Sequence, residues 1–236
     1  MGLDARRISR VSRSRQQAKE NYDRLSRWYD RLAGRSERRL RALGLERLAA
    51  SEGEAVLEVG FGTGDALIAL AGAVGQTGRV CGIDLSPGMV RVARSKLAAA
   101  GFSARVDLRV GDAIALPFAA RSFDAVFMSF TLELFDTPEI PLVLRQCARV
   151  LHPGGRLAVV AMSKGGGLAE QLYQCLHHWF PVLIDCRPIY ARDAIEAAGL
   201  QVSTVDNARV WGLPVEIVVA RIPLDGRPGT TSRSSR

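Results

Sequence analysis

Residues 55–65 read Ala-Val-Leu-Glu-Val-Gly-Phe-Gly-Thr-Gly-Asp. The apolar run Ala55 to Val59 has the length and composition of a short strand buried on both faces. It gives way to Gly60, Gly62 and Gly64, and a helical pattern follows from Ala66 to Val74. Strand, glycine turn and helix form the entry to a nucleotide-binding α/β unit. Glycine lets the backbone bend sharply and approach a ligand with no Cβ in the way. The helix behind the turn starts with unpaired N–H groups. The other reading of this stretch is a tight strand–helix turn whose glycines serve packing alone. The spacing here is G-x-G-x-G, whereas a dinucleotide fingerprint needs G-x-G-x-x-G. A nicotinamide-dependent oxidoreductase is therefore disfavoured.

A second apolar run, Val80-Cys81-Gly82-Ile83-Asp84, ends in a carboxylate twenty residues beyond Gly64. An acid at the tip of the second strand is where a ribose diol is held by paired hydrogen bonds; its bland alternative is a charge at a helix start. Ser86 has the character of an N-cap and Pro87 of a first helical residue. A third stretch is Val110-Gly111-Asp112-Ala113, followed by Leu116-Pro117-Phe118 and Phe123-Asp124-Ala125-Val126-Phe127. The fourth is Val150-Leu151-His152-Pro153-Gly154-Gly155-Arg156-Leu157.

In order and spacing these four stretches resemble the motifs of the class I S-adenosylmethionine (SAM) methyltransferases, over roughly residues 20–220. The resemblance implies an α/β fold: a doubly wound, mostly parallel seven-stranded sheet, Rossmann-like, with N-terminal helices and an antiparallel C-terminal edge hairpin. It implies SAM as cofactor. Gly60, Gly62 and Gly64, with Thr63 in the same loop, would let the backbone touch the donor's methionine and ribose parts. Asp84 would hold the ribose hydroxyls, and Leu85 and Met89 would flank the adenine. Asp112 would accept from the adenine amino group, with Ala113 beside it; its alternative role is to shape a turn after Gly111. Ser129 and Phe130 would line the sulfonium and substrate side. Glu58 either joins the cofactor site or only orders the loop backbone.

Further upstream, Tyr22, Leu25, Tyr29 and Leu32 recur with helical period. The segment Tyr22 to Asp30 resembles a helix that precedes the core of many small-molecule methyltransferases, where a tyrosine covers the cofactor. Tyr29 is the residue expected to do so; the alternative is an aromatic docking stripe. A second helix is expected from Ser36 to Ala50. Strands are expected at about 55–60, 79–84, 105–110, 122–129 and 155–162, and helices at about 64–74, 86–100 and 137–151. That alternation calls for a parallel sheet with helices on both faces. A further helix is expected from Tyr190 to Ala198, then strands at about 200–207 and 214–221. Residues 1–18 read as a mobile basic arm, 19–224 as a single domain and 225–236 as a disordered tail.

Methyl transfer from a sulfonium is an in-line displacement with a neutral thioether leaving group, so departure needs no acid. Proximity and orientation can supply roughly 7–11 kcal/mol. A base is needed only where the nucleophile must lose a proton. His177 and His178, beside the apolar face of Leu172, Tyr173 and Leu176, are the candidates, with Asp185 a third; the alternative is that the histidines serve only the surface or packing. Adjacent helix positions point about 100° apart, so the two histidines do not share one target.

Within the superfamily the chain resembles the ubiquinone and menaquinone biosynthesis C-methyltransferases most. The shared features are Ala115-Leu116-Pro117-Phe118, Met128-Ser129-Phe130 and the stretch Arg149 to Leu157. The resemblance implies C-methylation of a demethylquinol. It departs after the Ser-Phe pair, where those enzymes usually carry Gly-Leu-Arg-Asn and this chain carries Thr131-Leu132-Glu133-Leu134. Phospholipid N-methyltransferases share the same core and are the alternative, as is a SAM-binding module without turnover. Nucleic-acid methylation is disfavoured, because no Asn-Pro-Pro-Tyr follows the fourth strand.

The chain has 236 residues and a net charge of +8. Residues 1–41 hold thirteen Lys and Arg against five Asp and Glu, an excess equal to that of the whole chain. A basic arm on a neutral body can attract anionic lipid headgroups or nucleic acid; the alternative is an arm that is only solvated. The protein is accordingly expected to be cytoplasmic, with peripheral contact at the inner membrane face. Cys81, Cys147, Cys175 and Cys186 form no C-x-x-C pair, and with three scattered histidines no metal site is expected. No apolar run approaches the roughly 18 residues of a membrane span.

Overall fold

In the computed structural model, which describes residues 34–164, 187–210 and 212–224, the run Ala55–Val59 is a strand, β1, with its last four residues buried. Around it lie α1 (Gly34–Leu48), α2 (Asp65–Ala73), β2 (Arg79–Asp84), α3 (Pro87–Ala99), β3 (Val106–Val110), β4 (Phe123–Ser129), α4 (Ile140–Val150), β5 (Leu151–Met162), α5 (Ala191–Ala197), β6 (Gln201–Val210) and β7 (Leu213–Arg221). The seven strands form one sheet in the order β3-β2-β1-β4-β5-β7-β6. β1 pairs in parallel with both β2 and β4, and β5 continues the parallel set beyond β4. β7 runs antiparallel to β5 and β6. This is the expected doubly wound sheet, with its hairpin at one edge.

The period of two sorts each strand between two apolar layers. Val56, Ala158, Val160 and Met162 face the layer that holds Leu40, Leu67, Leu70 and Leu97. Leu57, Val59, Val159 and Ala161 face the layer that holds Val143, Leu144, Cys147 and Ile195. Helices α1, α2 and α3 thus cover one face, and α4 and α5 the other. α4 shows the pattern plainly, with Ile140, Val143, Leu144, Cys147 and Val150 buried. Burial pushes the Cys147 thiol up to about 12, which makes it an inert packing group.

Local chemistry sets the helix ends near the cleft. Ser86 caps α3 by accepting from the Met89 N–H at 3.0 Å, and Pro87 starts the helix. At its far end Gly101 adopts φ +79°, and Phe102 N–H donates to the Leu97 carbonyl at 2.8 Å. β5 starts earlier than the expected residue 155. Leu151 already pairs with Phe123, and on the other side Gly154 N–H donates to the Ile222 carbonyl (3.0 Å) while Ile222 N–H donates to the Gly155 carbonyl (2.9 Å). A register shift between Phe123 and Ala125 accommodates the His-Pro-Gly-Gly segment. The expected hairpin strand that ended at 207 runs on to Val210, which pairs with Leu213.

Arg156 on β5 ties α1 to the sheet. Its guanidinium donates to the carbonyls of Leu48 (2.5 Å) and Ala49 (2.7 Å), the last orphan acceptors of the helix. It also holds both oxygens of Glu54, at 2.8 and 2.6 Å. That pair keeps the Glu54 carboxyl below its ordinary range. A lowered carboxyl stabilises the fold above its unfolded value, about 4.3, and the contribution fades as pH drops through the folded value. Arg156→Ala should therefore lower the unfolding free energy by roughly 2–3 kcal/mol at neutral pH. Urea denaturation checks this, and the gap between variant and wild type should narrow in acid.

The expected arm, the Tyr29 helix, His177, His178, Asp185 and the tail all lie outside the described residues, as do Cys175 and Cys186.

Candidate functional site

β1 and β4 are neighbours whose following helices leave to opposite faces of the sheet, so a crevice opens beyond their carboxyl ends. One cleft occupies that position. Its floor is Glu58 to Thr63; its sides are Ile83 to Leu85, Met89 and Gly111 to Ala113; and Ser129 to Thr131, Leu134 and Phe135 close the end beyond β4. Glu37 and Arg41 of α1 complete the wall.

The three loop glycines are required for different physical reasons. Gly60 has φ +70°, and a Cβ there would come within 2.2 Å of the Thr131 methyl. Thr131 in turn donates its hydroxyl to the Gly60 carbonyl (3.2 Å) and lies 3.1 Å from the Ser129 carbonyl. At Gly62 a Cβ would meet nothing within 4 Å, so the bare backbone borders open space in the cleft. Gly64 does not line the cleft; its missing Cβ makes room for Ala93, which would otherwise lie at 2.8 Å. That glycine lets α2 and α3 pack together.

Asp84 braces the loop from the neighbouring strand. Its Oδ2 accepts from Gly62 N–H at 2.9 Å and its Oδ1 from Ser86 N–H at 2.9 Å. Asp112 accepts from Ile114 N–H at 3.1 Å and caps a one-turn 3-10 helix, Ala113–Ala115, while its residue also lines the cleft. The turn-shaping reading and the cleft-lining reading thus apply to the same side chain. Glu58 is 3% exposed, its Oε2 has no hydrogen-bond partner among the described residues, and burial pushes its carboxyl up to about 8.

The loop is also clamped from outside. Asp65, the first residue of α2, takes Arg41 of α1 on Oδ2 (3.0 Å) and Lys96 of α3 on Oδ1 (2.6 Å). Lys96 reaches the Thr63 hydroxyl as well, at 3.1 Å. A carboxylate in the first turn suits the helix dipole, and here it joins three helices around one glycine loop.

Beyond β4 the chain is tightly determined. Phe130 has φ +52°, an uncommon conformation for a non-glycine residue. It is held there by its N–H donating to the Val160 carbonyl at 2.8 Å and by near-complete burial. Backbone held in this way clusters at functional sites. Glu133 follows, fully buried, with Oε1 accepting from Met162 N–H at 3.1 Å. Burial raises its carboxyl to about 8. Arg187, also buried, donates to the Thr137 hydroxyl at 3.0 Å and to the Phe135 carbonyl.

Glu58, Gly60, Gly62, Thr63, Asp84, Leu85, Met89, Asp112, Ala113, Ser129 and Phe130 therefore meet in one cleft. Reading the sequence missed Glu37, Arg41, Thr131, Leu134 and Phe135 as lining residues. Glu37 and Arg41 stand four residues apart on one helix face, a spacing visible in the sequence. It is submerged in a segment whose abundant arginines read only as charge.

Residues 56–155 match the family model described as "Methyltransferase domain". The chain is 36% identical over 163 residues to the demethylmenaquinone methyltransferase of Halalkalibacterium halodurans, covering 68% of this chain and 64% of that one. Aligned stretches span between 44% and 64% of the length of the curated relatives it matches. Among solved structures the cyclase SpnF aligns with a TM-score of 0.73 at 22% identity, over 92% of this chain and 98% of that one. A SAM-dependent methyltransferase from Aquifex aeolicus aligns with a TM-score of 0.61 at 24% identity, over 84% and 98% respectively. At such identities the structural likeness concerns the fold. Among the described residues no helix is long and apolar enough to cross a membrane.

Proposed function

We propose that this protein, whose residues 56–155 match a methyltransferase-domain model, transfers a methyl group from SAM to a lipophilic small molecule. The observation that supports this best is the Gly62 backbone. It is open to the cleft and is fixed by the Asp84 carboxylate that ends the next strand. The residues fit the donor. Asp84 stands where ribose hydroxyls can be held, while Leu85, Met89 and Ala113 offer apolar walls to a flat base. The buried Glu58 carboxyl has an oxygen with no partner to offer a donor group. When bound, the sulfonium supplies a methyl group to a nucleophile in line with its carbon–sulfur bond. The chain's own task is to hold that line and exclude water, which the packed end beyond β4 suits.

Phe130, Leu134 and Phe135 make the acceptor end apolar. Together with the demethylmenaquinone methyltransferase named above, this favours a demethylquinol ring carbon as acceptor. Labelled SAM should transfer its methyl to a reduced short-chain demethylmenaquinone, with the labelled product identified by mass spectrometry. A labelled product of another class from a cell extract would replace the quinol acceptor. Absence of SAM binding by calorimetry would overturn the donor.

The basic arm suits a substrate that resides in a membrane. Residues 1–18 carry five arginines, and each is worth about 1 kcal/mol near an anionic surface. Deleting them should sharply reduce co-sedimentation with phosphatidylglycerol vesicles at low salt, and added salt should erase the difference. Equal sedimentation would retire the membrane role.

A further inference from the structure

We propose that Glu37 is the group that takes the acceptor's proton, an inference that rests on the methyltransferase reading above. Four carboxyl side chains line the cleft among the described residues: Glu37, Glu58, Asp84 and Asp112. Asp84 and Asp112 are committed to backbone N–H groups. Glu58 lies on the sheet floor and is almost wholly covered. Glu37 stands on the first turns of α1, half-buried, and among the described residues no hydrogen bond or ion pair fixes its carboxyl. Of the cleft-lining acids it is the one that is both partly exposed and without a hydrogen bond or ion pair among the described residues.

Its surroundings set its charge. Burial pushes the Glu37 carboxyl up to about 7, and the Arg41 guanidinium one turn along the helix opposes that rise. Arg41 already donates to Asp65, which Lys96 also holds, so it tempers Glu37 without pairing it. From the other elements Glu58 on β1, Asp84 on β2, and Glu133 beyond β4 with Arg187 beside it bear on the same region. The Glu37 charge contributes to holding Glu133 protonated. An acid that is half ionised near neutrality is matched to proton removal at that pH. A base at an ordinary carboxyl value would be too weak, and a buried one could not reach the acceptor.

The step balances on a hydroxylated ring. The acceptor hydroxyl gives its proton to the Glu37 carboxylate. The electron pair released is delocalised to the ring carbon, which bonds to the methyl while the carbon–sulfur pair stays on sulfur. The methylated carbon then loses its own proton to water, and Glu37 returns its proton to the ring oxygen. One proton leaves to solvent in total, and nothing is oxidised or reduced.

The test compares wild type with Glu37→Gln and Glu37→Asp in the full chain, using labelled SAM and a reduced short-chain demethylmenaquinone. Glu37→Gln should keep its affinity for SAM within about threefold and lose kcat by roughly 100-fold or more. Wild-type kcat should rise with pH through about 7. That limb should vanish in Glu37→Gln and persist at reduced rate in Glu37→Asp. Retained kcat in Glu37→Gln, or an unchanged acid limb, overturns the inference. Wild-type protein that binds no SAM overturns the donor reading and this inference together. If SAM binds but the quinol takes no label, the same variants are compared on the acceptor that takes label in extract, with the same two deciding results.

Discussion

Asp84→Ala should weaken SAM binding by about two orders of magnitude in calorimetry. Two losses combine. The carboxylate would no longer meet the ribose hydroxyls, and the Gly62 and Ser86 N–H groups would lose the acceptor that positions them. A hydrogen bond to a charged group is worth roughly 1.5–3 kcal/mol, and each 1.4 kcal/mol is about tenfold in affinity. Asp84→Asn separates the two effects. Its amide keeps one acceptor but turns a donor toward one of the two N–H groups, so it should fall between alanine and wild type. Unchanged affinity in both variants would remove Asp84 from the donor site.

Gly60→Ala should be more damaging to the fold than any other single methyl added to the loop. Alanine at φ +70° costs about 1–2 kcal/mol, and its Cβ would overlap the Thr131 methyl and hydroxyl at 2.2 and 2.5 Å. Overpacking adds about 1–3 kcal/mol. A total near 3 kcal/mol predicts a fall in Tm of roughly 6–12 °C for a chain of this size, measurable by calorimetry, with SAM binding abolished. Adding Thr131→Ala should recover the steric part and leave the conformational part. Gly62→Ala, with nothing near its Cβ, should cost stability little beyond the backbone strain and act on the ligand instead. Equal loss of Tm in both single variants would contradict the distinct roles assigned to the two glycines.

Much of this site was legible before any coordinates, because its core is local. A strand, its turn and the next helix announce themselves by period, and Asp84 and Asp112 sit at strand ends that the apolar runs delimit. Other features depend on contacts distant in sequence. Thr131 meets Gly60 seventy-one residues away, and Arg187 reaches Phe135 across fifty-two. No window of sequence holds both partners. Likewise the spacing named three glycines but could not apportion them, since Gly64 answers to Ala93 on a different helix. Glu37 and Arg41 were hidden for a further reason. Their segment reads as solvated and basic, and only packing of α1 on the sheet turns one face inward. Asp112 and Glu58 each carried two readings; the turn-shaping role of Asp112 is seen directly, and the same residue also lines the cleft.

Gly44 lies in the second half of α1, where a Cβ would come within 2.4 Å of Val160 and 3.1 Å of Phe127. The helix axis therefore rests almost directly on the strands, closer than any side chain would permit. Such a seat acts as a notch: one-residue sliding would drive a bulkier neighbour into the same place. Two turns upstream, the wall of the cleft inherits that indexing. The spacing of Glu37 and Arg41 from the rest of the cleft is thus gauged by a position that does not line it. Enlarging it to serine or alanine would tilt the whole wall, altering which molecules fit without changing any group that meets them.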